Sequence, residues 1–205
     1  MSQVVSIGHA AALRKAGILL LCLVLGACTT AERAEPPLIR FSQGPIVRLE
    51  AERPVAVVDR YRAPLQAPHV EHEYRVVPAQ IANAWIRDRI ALSGTGGAVK
   101  LTIFDAGVVM EALPVSRGVF GWFRNEVDRR LTGTLEVQLD FVGVAGRAAS
   151  TRATVSVTRG IRENADPEDV EGIYFDMIEA LARGFDEEMS RQVREAFARA
   201  TGAAA

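Results

Sequence analysis

Cysteine and histidine are both scarce in this 205-residue chain. The two cysteines are Cys22 and Cys28, near the amino terminus, and the three histidines are His9, His69 and His72. The rest of the chain therefore has no thiolate nucleophile, disulfide or cysteine-based zinc site. No G-x-S-x-G or H-E-x-x-H motif occurs. These absences argue against an enzyme and against a cofactor, although two carboxylates that converge in space would leave no motif.

A strong charge excess and a long apolar run are also missing. The chain has 24 basic and 25 acidic residues, which gives a formal net charge of −1 at pH 7. This balance excludes the strongly basic surface with which proteins usually bind nucleic acid, so no nucleic-acid partner is expected. No apolar run after Cys28 approaches the ~20 residues that a membrane-spanning helix needs.

A short leader precedes the second cysteine. Arg14 and Lys15 are followed by an apolar run over residues 16–25, which has the length of a secretory signal core. The run ends in Leu25-Gly26-Ala27-Cys28, which resembles the lipobox of bacterial lipoproteins. The resemblance implies a diacylglyceryl group on the Cys28 sulfur, cleavage before this residue and acylation of the new amino terminus, with palmitate as a typical acyl group.

The lipobox resemblance also implies a division of the chain. Residues 1–27 would be a signal peptide that is removed, residues 28–37 an acylated tether, and residues 38–205 a single periplasmic domain. Removal of residues 1–27 takes away two cations and no acid, so the formal net charge becomes −3. Thr29 follows the cysteine where an aspartate commonly signals retention in the inner membrane. The resemblance therefore implies an anchor in the outer membrane, facing the periplasm.

Apolar periodicity predicts an α+β fold, an antiparallel sheet with helices packed on one face. Strict alternation over residues 131–142 predicts a strand with one face on the core and one in water. Residues 143–146 predict a hairpin connection, and alternation resumes over residues 149–157. Residues 99–113 predict a strand that is interrupted at Gly107, either by a bulge or by a tight hairpin.

Two helices are predicted from their start signals. Pro78 opens a helix over residues 79–92 that is apolar on two faces and should be covered on both. Asp166 should cap a long helix that runs to Ala200, with Gly184 as the place for a kink or break. Among the shorter segments, residues 55–58 indicate a buried strand and residues 70–77 an edge strand.

Two segments resemble ligand sites at first sight. Residues 69–73, His-Val-Glu-His-Glu, supply metal-binding side chains, but an extended strand would point His69 and His72 to opposite sides. The alternative, polar surface residues, is favoured. The glycine-rich residues 93–97 follow a helix and precede a strand, the reverse of a phosphate-binding loop. Neither a metal nor a phosphate site is predicted.

A loop between Pro114 and Arg129 concentrates aromatic residues. It contains four candidate contact residues: Phe120, Trp122, Phe123 and Arg124. Aromatic and arginine side chains in an adaptable loop are typical of contacts with a protein partner or a membrane. The alternative is that these rings fold back and cover one end of the core.

The chain resembles the small accessory lipoproteins of Gram-negative envelopes, such as the auxiliary lipoproteins of ABC-type lipid transport and the lipopolysaccharide-assembly lipoproteins. The motif that carries this resemblance is the lipobox, residues 25–28. It implies a lipid-anchored, non-enzymatic subunit of an envelope complex. The composition of the 114–129 loop predicts that this subunit docks through residues 120–124 and exposed sheet edges. The alternative is a periplasmic lipid-binding module. Its groove would lie against the sheet and be lined by the two apolar faces of the 79–92 helix and the apolar stripe of the C-terminal helix.

Overall fold

The computed structural model describes residues 39–52, 55–94, 96–114 and 126–201, with the side chains of Ala145 and residues 198–201 excepted. These residues all lie within one unit, Pro36–Ala205. The described strands are β1 (Val47–Leu49), β2 (Ala56–Asp59), β3 (Ile90–Leu92), β4 (Ala98–Asp105), β5 (Val108–Ala112), β6 (Val127–Val142) and β7 (Ala148–Arg162). The α-helices are α1 (Pro78–Arg89) and α2 (Pro167–Thr201), and short 3₁₀ helices cover Glu71–Glu73 and Val144–Gly146.

The main sheet has β6 at its centre. On one side β6 pairs antiparallel with β4 and β5, and on the other it pairs antiparallel with β7. Strand β2 pairs parallel with β4, and β1 pairs parallel with β3 in a small second sheet. The predicted α+β class is confirmed, but the sheet is mixed and not purely antiparallel. The parallel pair arises because the chain passes through α1 between β2 and β4, as parallel strands require a crossover.

Strands β4 and β5 form one interrupted line along β6. Ile103 lies opposite Val137, and Val108 lies opposite Gly133, so both strands run in the same direction. The register shifts between Ile103 and Asp105. Of the two predicted alternatives, the hairpin is wrong. A bulge is present, but it lies between Ile103 and Asp105 and not at Gly107, because the register is the same at Asp105 and Val108. A Cβ at Gly107 would lie 2.8 Å from the Tyr61 hydroxyl, which explains the glycine at the interruption.

The core lies between the helices and one face of the sheet. The alternating apolar residues of β6 are fully buried there, among them Leu131, Leu135, Val137 and Leu139. Helix α2 packs across β7 and β6 and continues through Gly184 without a break. A Cβ at Gly184 would lie 3.1 Å from the Val155 side chain. The predicted break is therefore wrong, and this glycine serves the close approach of helix and sheet.

Both helices begin where the sequence predicts. Asp166 caps α2, since its Oδ1 accepts a hydrogen bond of 2.8 Å from the Asp169 N–H. Helix α1 has both apolar faces buried, as its pattern predicts. It ends at Arg89, however, and not at Leu92. Residues 90–92 are extended because they pair with β1, a tertiary contact that outweighs their helical pattern.

Two strand predictions need correction. The segment at residues 55–58 does form a strand, β2, but Val57 and Val58 are 43% and 40% exposed and not buried. Apolar runs on a sheet edge have the same local pattern as buried ones, so sequence alone does not separate them. Residues 70–77 do not form an edge strand, because Glu71–Glu73 folds into a 3₁₀ helix.

Candidate functional site

A buried ion pair joins the two helices. The Arg89 side chain at the end of α1 is 3% exposed, and its Nε donates a hydrogen bond of 2.8 Å to Asp186 Oδ1 on α2. A second guanidinium nitrogen donates to Asp186 Oδ2. Trp85 Nε1 donates to the same carboxylate at 2.9 Å. Hydrogen bonding to Asp186 raises the pKa of Arg89, so the guanidinium stays charged. We refer to Trp85, Arg89 and Asp186 as the Arg89 cluster.

The amino-terminal segment, residues 39–44, lies across the end of α1. The Phe41 N–H donates a hydrogen bond of 3.0 Å to Asp88 Oδ2, and Arg89 donates to the Gln43 carbonyl. The guanidinium carbon of Arg89 lies 5.7 Å from the centre of the Phe41 ring. The hydrogen bond from Arg87 lowers the pKa of Asp88, which keeps this acceptor ionised. The helix end therefore fixes the segment that leads from the predicted anchor.

This segment and α2 line a cavity of about 470 Å³ that is open to solvent on one side. The Arg89 cluster contributes Arg89 and Asp186 to its wall. Its apolar lining consists of Ile39, Phe41, Val76, Phe175, Ile178 and Ala182. This cavity does not lie between α1 and the main sheet, where Ile81, Ala82 and Trp85 are fully buried in packed core. A second pocket of about 450 Å³ lies beside α1, and Val57, Ile86, Ile90 and Leu92 form part of its lining.

A second buried carboxylate lies beside the β4–β5 interruption. Tyr61 donates a hydrogen bond of 2.6 Å to Glu71 Oε1, and Glu71 Oε2 accepts one of 3.0 Å from the Val108 N–H. His69 Nδ1 lies 3.3 Å from the Tyr61 hydroxyl oxygen and 3.7 Å from Glu71 Oε1. Burial acts to raise the pKa of Glu71, but the hydrogen bonds outweigh it and the pKa is lowered. The segment before α1 is thereby fastened to the sheet.

This arrangement corrects the interpretation of residues 69–73. Glu71 is 2% exposed, so it is not a polar surface residue. Within the described ranges, no three histidine, cysteine or acidic side chains are grouped so that they could hold a metal ion. Both carboxylate oxygens of Glu71 serve structural partners.

The sheet face opposite the helices carries a polar network. Arg152 on β7 donates a hydrogen bond of 2.8 Å to Glu136 and another of 2.8 Å to Gln138, both on β6. Its guanidinium carbon lies 4.1 Å from the centre of the Phe104 ring. At one end of this face, Lys100 Nζ lies 3.2 Å from Asp140 Oδ2. We refer to this surface as the open face.

The outer edge of β7 borders the open face. Among the described residues, this 15-residue strand pairs with β6 alone. The Thr134 N–H on β6 donates a hydrogen bond of 2.9 Å to the Gly107 carbonyl, on the side away from β7. Ser156, which lies opposite Thr134, therefore directs its own N–H and C=O outward, and so does Thr154 two residues earlier. The edge thus presents backbone donors and acceptors.

The site residues predicted from sequence are not among those that the structure describes. Cys28 and the loop residues Phe120, Trp122, Phe123 and Arg124 fall outside the described residues, so their roles stay predictions. Helices in the described part of the chain are all too short or too polar to cross a membrane.

Sequence reasoning missed the Arg89 cluster. Its one local signal is an arginine four residues after Trp85, on an apolar helix face. A cation at such a position needs a buried acidic partner, but the sequence pattern does not identify that acid.

Comparisons with known proteins found no matching family model and no matching curated sequence. Three bacterial proteins are among the solved structures that match this chain. Rare lipoprotein B from Shewanella oneidensis is 9% identical, with 69% of this chain and 94% of that chain covered and a TM-score of 0.37. A minor lipoprotein from Acinetobacter baumannii is 13% identical, with coverages of 72% and 94% and a TM-score of 0.37. A protein from Xanthomonas campestris is 12% identical, with coverages of 76% and 88% and a TM-score of 0.33.

Two of these three neighbours are bacterial lipoproteins by name.

Proposed function

We propose that this chain is a lipid-anchored, non-enzymatic accessory subunit of a cell-envelope complex. Cys28 holds it at the outer membrane, facing the periplasm. The domain binds an extended segment of another envelope protein along the outer edge of β7. The observation that supports this proposal is the length of that edge, 15 residues with outward-directed backbone groups.

Strand addition fits this edge for two reasons. Typical strands have about five or six residues, and proteins usually shorten or cover edges that would otherwise recruit another strand. The side chains beside the edge on the open face are small hydroxyl residues, Thr154, Ser156 and Thr158, and they are exposed. They leave room for a partner backbone, and the backbone hydrogen bonds would supply affinity in the mode known as β-augmentation.

The hydrogen-bond partners of Glu71 and Asp186 support a binding function and not a catalytic one. Glu71 bonds Tyr61 and the Val108 backbone, and Asp186 bonds Arg89 and Trp85. Each carboxylate joins two separate segments of the chain, which is a structural task.

The experiment places a photocrosslinking residue at Thr158 in cells and identifies the adducts by mass spectrometry. Thr154→Pro removes an outward N–H without removing a bond to β6, so the expected result is loss of the dominant protein adduct. Thr154→Ala is the matched control, since it removes the side chain and keeps the N–H, and it should retain the adduct. Cys28→Ala should lose both fatty-acid labelling and most of the adduct, because the domain leaves the membrane.

Thermal melting of each variant checks that the fold survives. An adduct that forms equally well in a folded Thr154→Pro variant would contradict strand addition at β7. Continued fatty-acid labelling of Cys28→Ala would contradict the anchor.

A further inference from the structure

We infer that the cavity between residues 39–43 and α2 holds one acyl chain of a membrane phospholipid, with the lipid headgroup at its arginine-bearing rim. This site is separate from the β7 edge and assigns a second binding activity to the domain.

The size and lining of the cavity suit an acyl chain. Its volume of about 470 Å³ lies within the range of ~300–1,000 Å³ that is usual for small-molecule sites. Ile39 and Phe41 line it from the amino-terminal segment, and Phe175, Ile178 and Ala182 line it from α2. Apolar walls from two separate elements favour a hydrocarbon occupant over a polar one.

The charged groups at the cavity fit a phospholipid headgroup. Arg89 is already bonded to Asp186 at the wall, so it is not the group that would bind an anion. Arg40 and Arg183 also border the cavity and are exposed to solvent, where a lipid phosphate could reach them. Arg40 lies 3.8 Å from Asp88, but this pair is exposed on the arginine side and can exchange its partner at modest cost. Glu179 borders it as well, which complements the ammonium group of a zwitterionic lipid such as phosphatidylethanolamine.

The position of the cavity along the chain brings it close to a bilayer. Ile39, which lines the cavity, follows the predicted anchor Cys28 by eleven residues. An extended chain spans at most ~3.6 Å per residue, so the cavity wall lies within about 40 Å of the anchored residue. This step rests on the proposed anchor, and the remaining steps rest on the described residues alone.

The test uses the full acylated chain in phosphatidylethanolamine vesicles that contain a small fraction of phosphatidylethanolamine with a diazirine near the end of one acyl chain. After illumination, mass spectrometry maps the lipid adducts. The expected result is a concentration of adducts on Phe175, Ile178 and Phe41.

Two isoleucine-to-aspartate variants, at positions 39 and 46, provide the comparison. Ile39→Asp places a carboxylate on the cavity wall and should reduce the cavity adducts at least about tenfold, because a buried charge opposes an apolar occupant. Ile46→Asp is the matched control, since Ile46 is 54% exposed and does not line the cavity. It should leave the adducts unchanged.

Adducts spread evenly over the surface of the parent protein would overturn the inference, and this map does not depend on how the variants fold. Surface adducts without cavity adducts would also overturn the inference. This result would be found if the chain's own acyl group, and not a membrane phospholipid, filled the cavity. Equal yields of cavity adducts from Ile39→Asp and Ile46→Asp would likewise overturn the inference. Thr154→Pro should not alter the lipid adducts, so failure here is distinguishable from failure at the β7 edge.

Discussion

The helix–helix contact and the open face each contain an arginine–carboxylate pair, but the two pairs differ in exposure. The Arg89 side chain is 3% exposed and its partner Asp186 is 23% exposed. The Arg152 side chain is 45% exposed and its partner Glu136 is 28% exposed. Because water screens an exposed pair, its net contribution to stability is small. Breaking a buried pair leaves a desolvated charge without a partner, which costs far more.

This difference in exposure decides which of the two regions can bind a partner. The Arg89 cluster joins α1, α2 and the amino-terminal segment, so its groups cannot change partners without loosening the fold. The polar side chains of the open face are already partly hydrated and can exchange one partner for another at modest cost. A binding surface is therefore better placed beside the open face, where the β7 edge lies.

The largest effect is expected at the Arg89 cluster. Asp186→Ala should lower the free energy of unfolding by about 3–5 kcal/mol, because it leaves the buried Arg89 cation unpaired. Urea unfolding of the parent and the variant measures this change. The double variant Arg89→Met with Asp186→Ala removes both charges and should be more stable than Asp186→Ala alone. A double variant that is less stable would show that packing, and not the unpaired charge, causes the loss.

A smaller effect is expected at Glu71. Tyr61→Phe removes a hydrogen bond to a buried carboxylate and should cost about 1.5–3 kcal/mol at neutral pH. The folded-state pKa of Glu71 is lowered, so the stability it contributes is present above its unfolded pKa and is lost as pH falls through the folded pKa. Loss of the Tyr61 hydrogen bond should raise the folded pKa. The variant should therefore show a smaller decrease in stability between pH 7 and pH 3 than the parent.

Glu71→Gln is the control for this prediction, since an amide of the same shape does not titrate. It should remove the acid-dependent step that Glu71 contributes. A parent and a Tyr61→Phe variant with parallel stability curves over this pH range would show that the Tyr61 hydrogen bond does not affect the titration of Glu71.

The sequence predicts β6 and β7 well because alternation is a local property that each strand carries by itself. It fails where a residue's state depends on a distant segment. Residues 90–92 have a helical pattern and become β3 only because β1 is available to pair with them. The exposure of β2 depends on its place at the edge of the sheet, which no local pattern records.

The candidate sites also differ in whether a local sequence pattern indicates them or whether they depend on distant segments. Cys28 is indicated by a local pattern, because a lipobox is four consecutive residues, and its role stays a prediction. Arg89 and Asp186 are separated by 97 positions, and nothing near either residue names the other. The β7 edge needs knowledge of strand order, since an edge strand and a central strand can share one alternating pattern.

The smallest effect is expected at Arg152. Arg152→Ala removes an exposed pair with Glu136 and a cation–π contact with Phe104, and the summed cost should be about 0.5–1.5 kcal/mol. Urea unfolding at low and high salt separates the two contributions, because salt screens the ion pair and leaves most of the stacking contact. Arg152→Lys keeps the positive charge and loses the planar stacking on Phe104. The stability that residue 152 contributes in this variant should therefore be the salt-dependent part alone. A loss as large as that of Asp186→Ala would mean that the open face contributes as much to stability as the helix contact does, and the case for binding beside it would weaken.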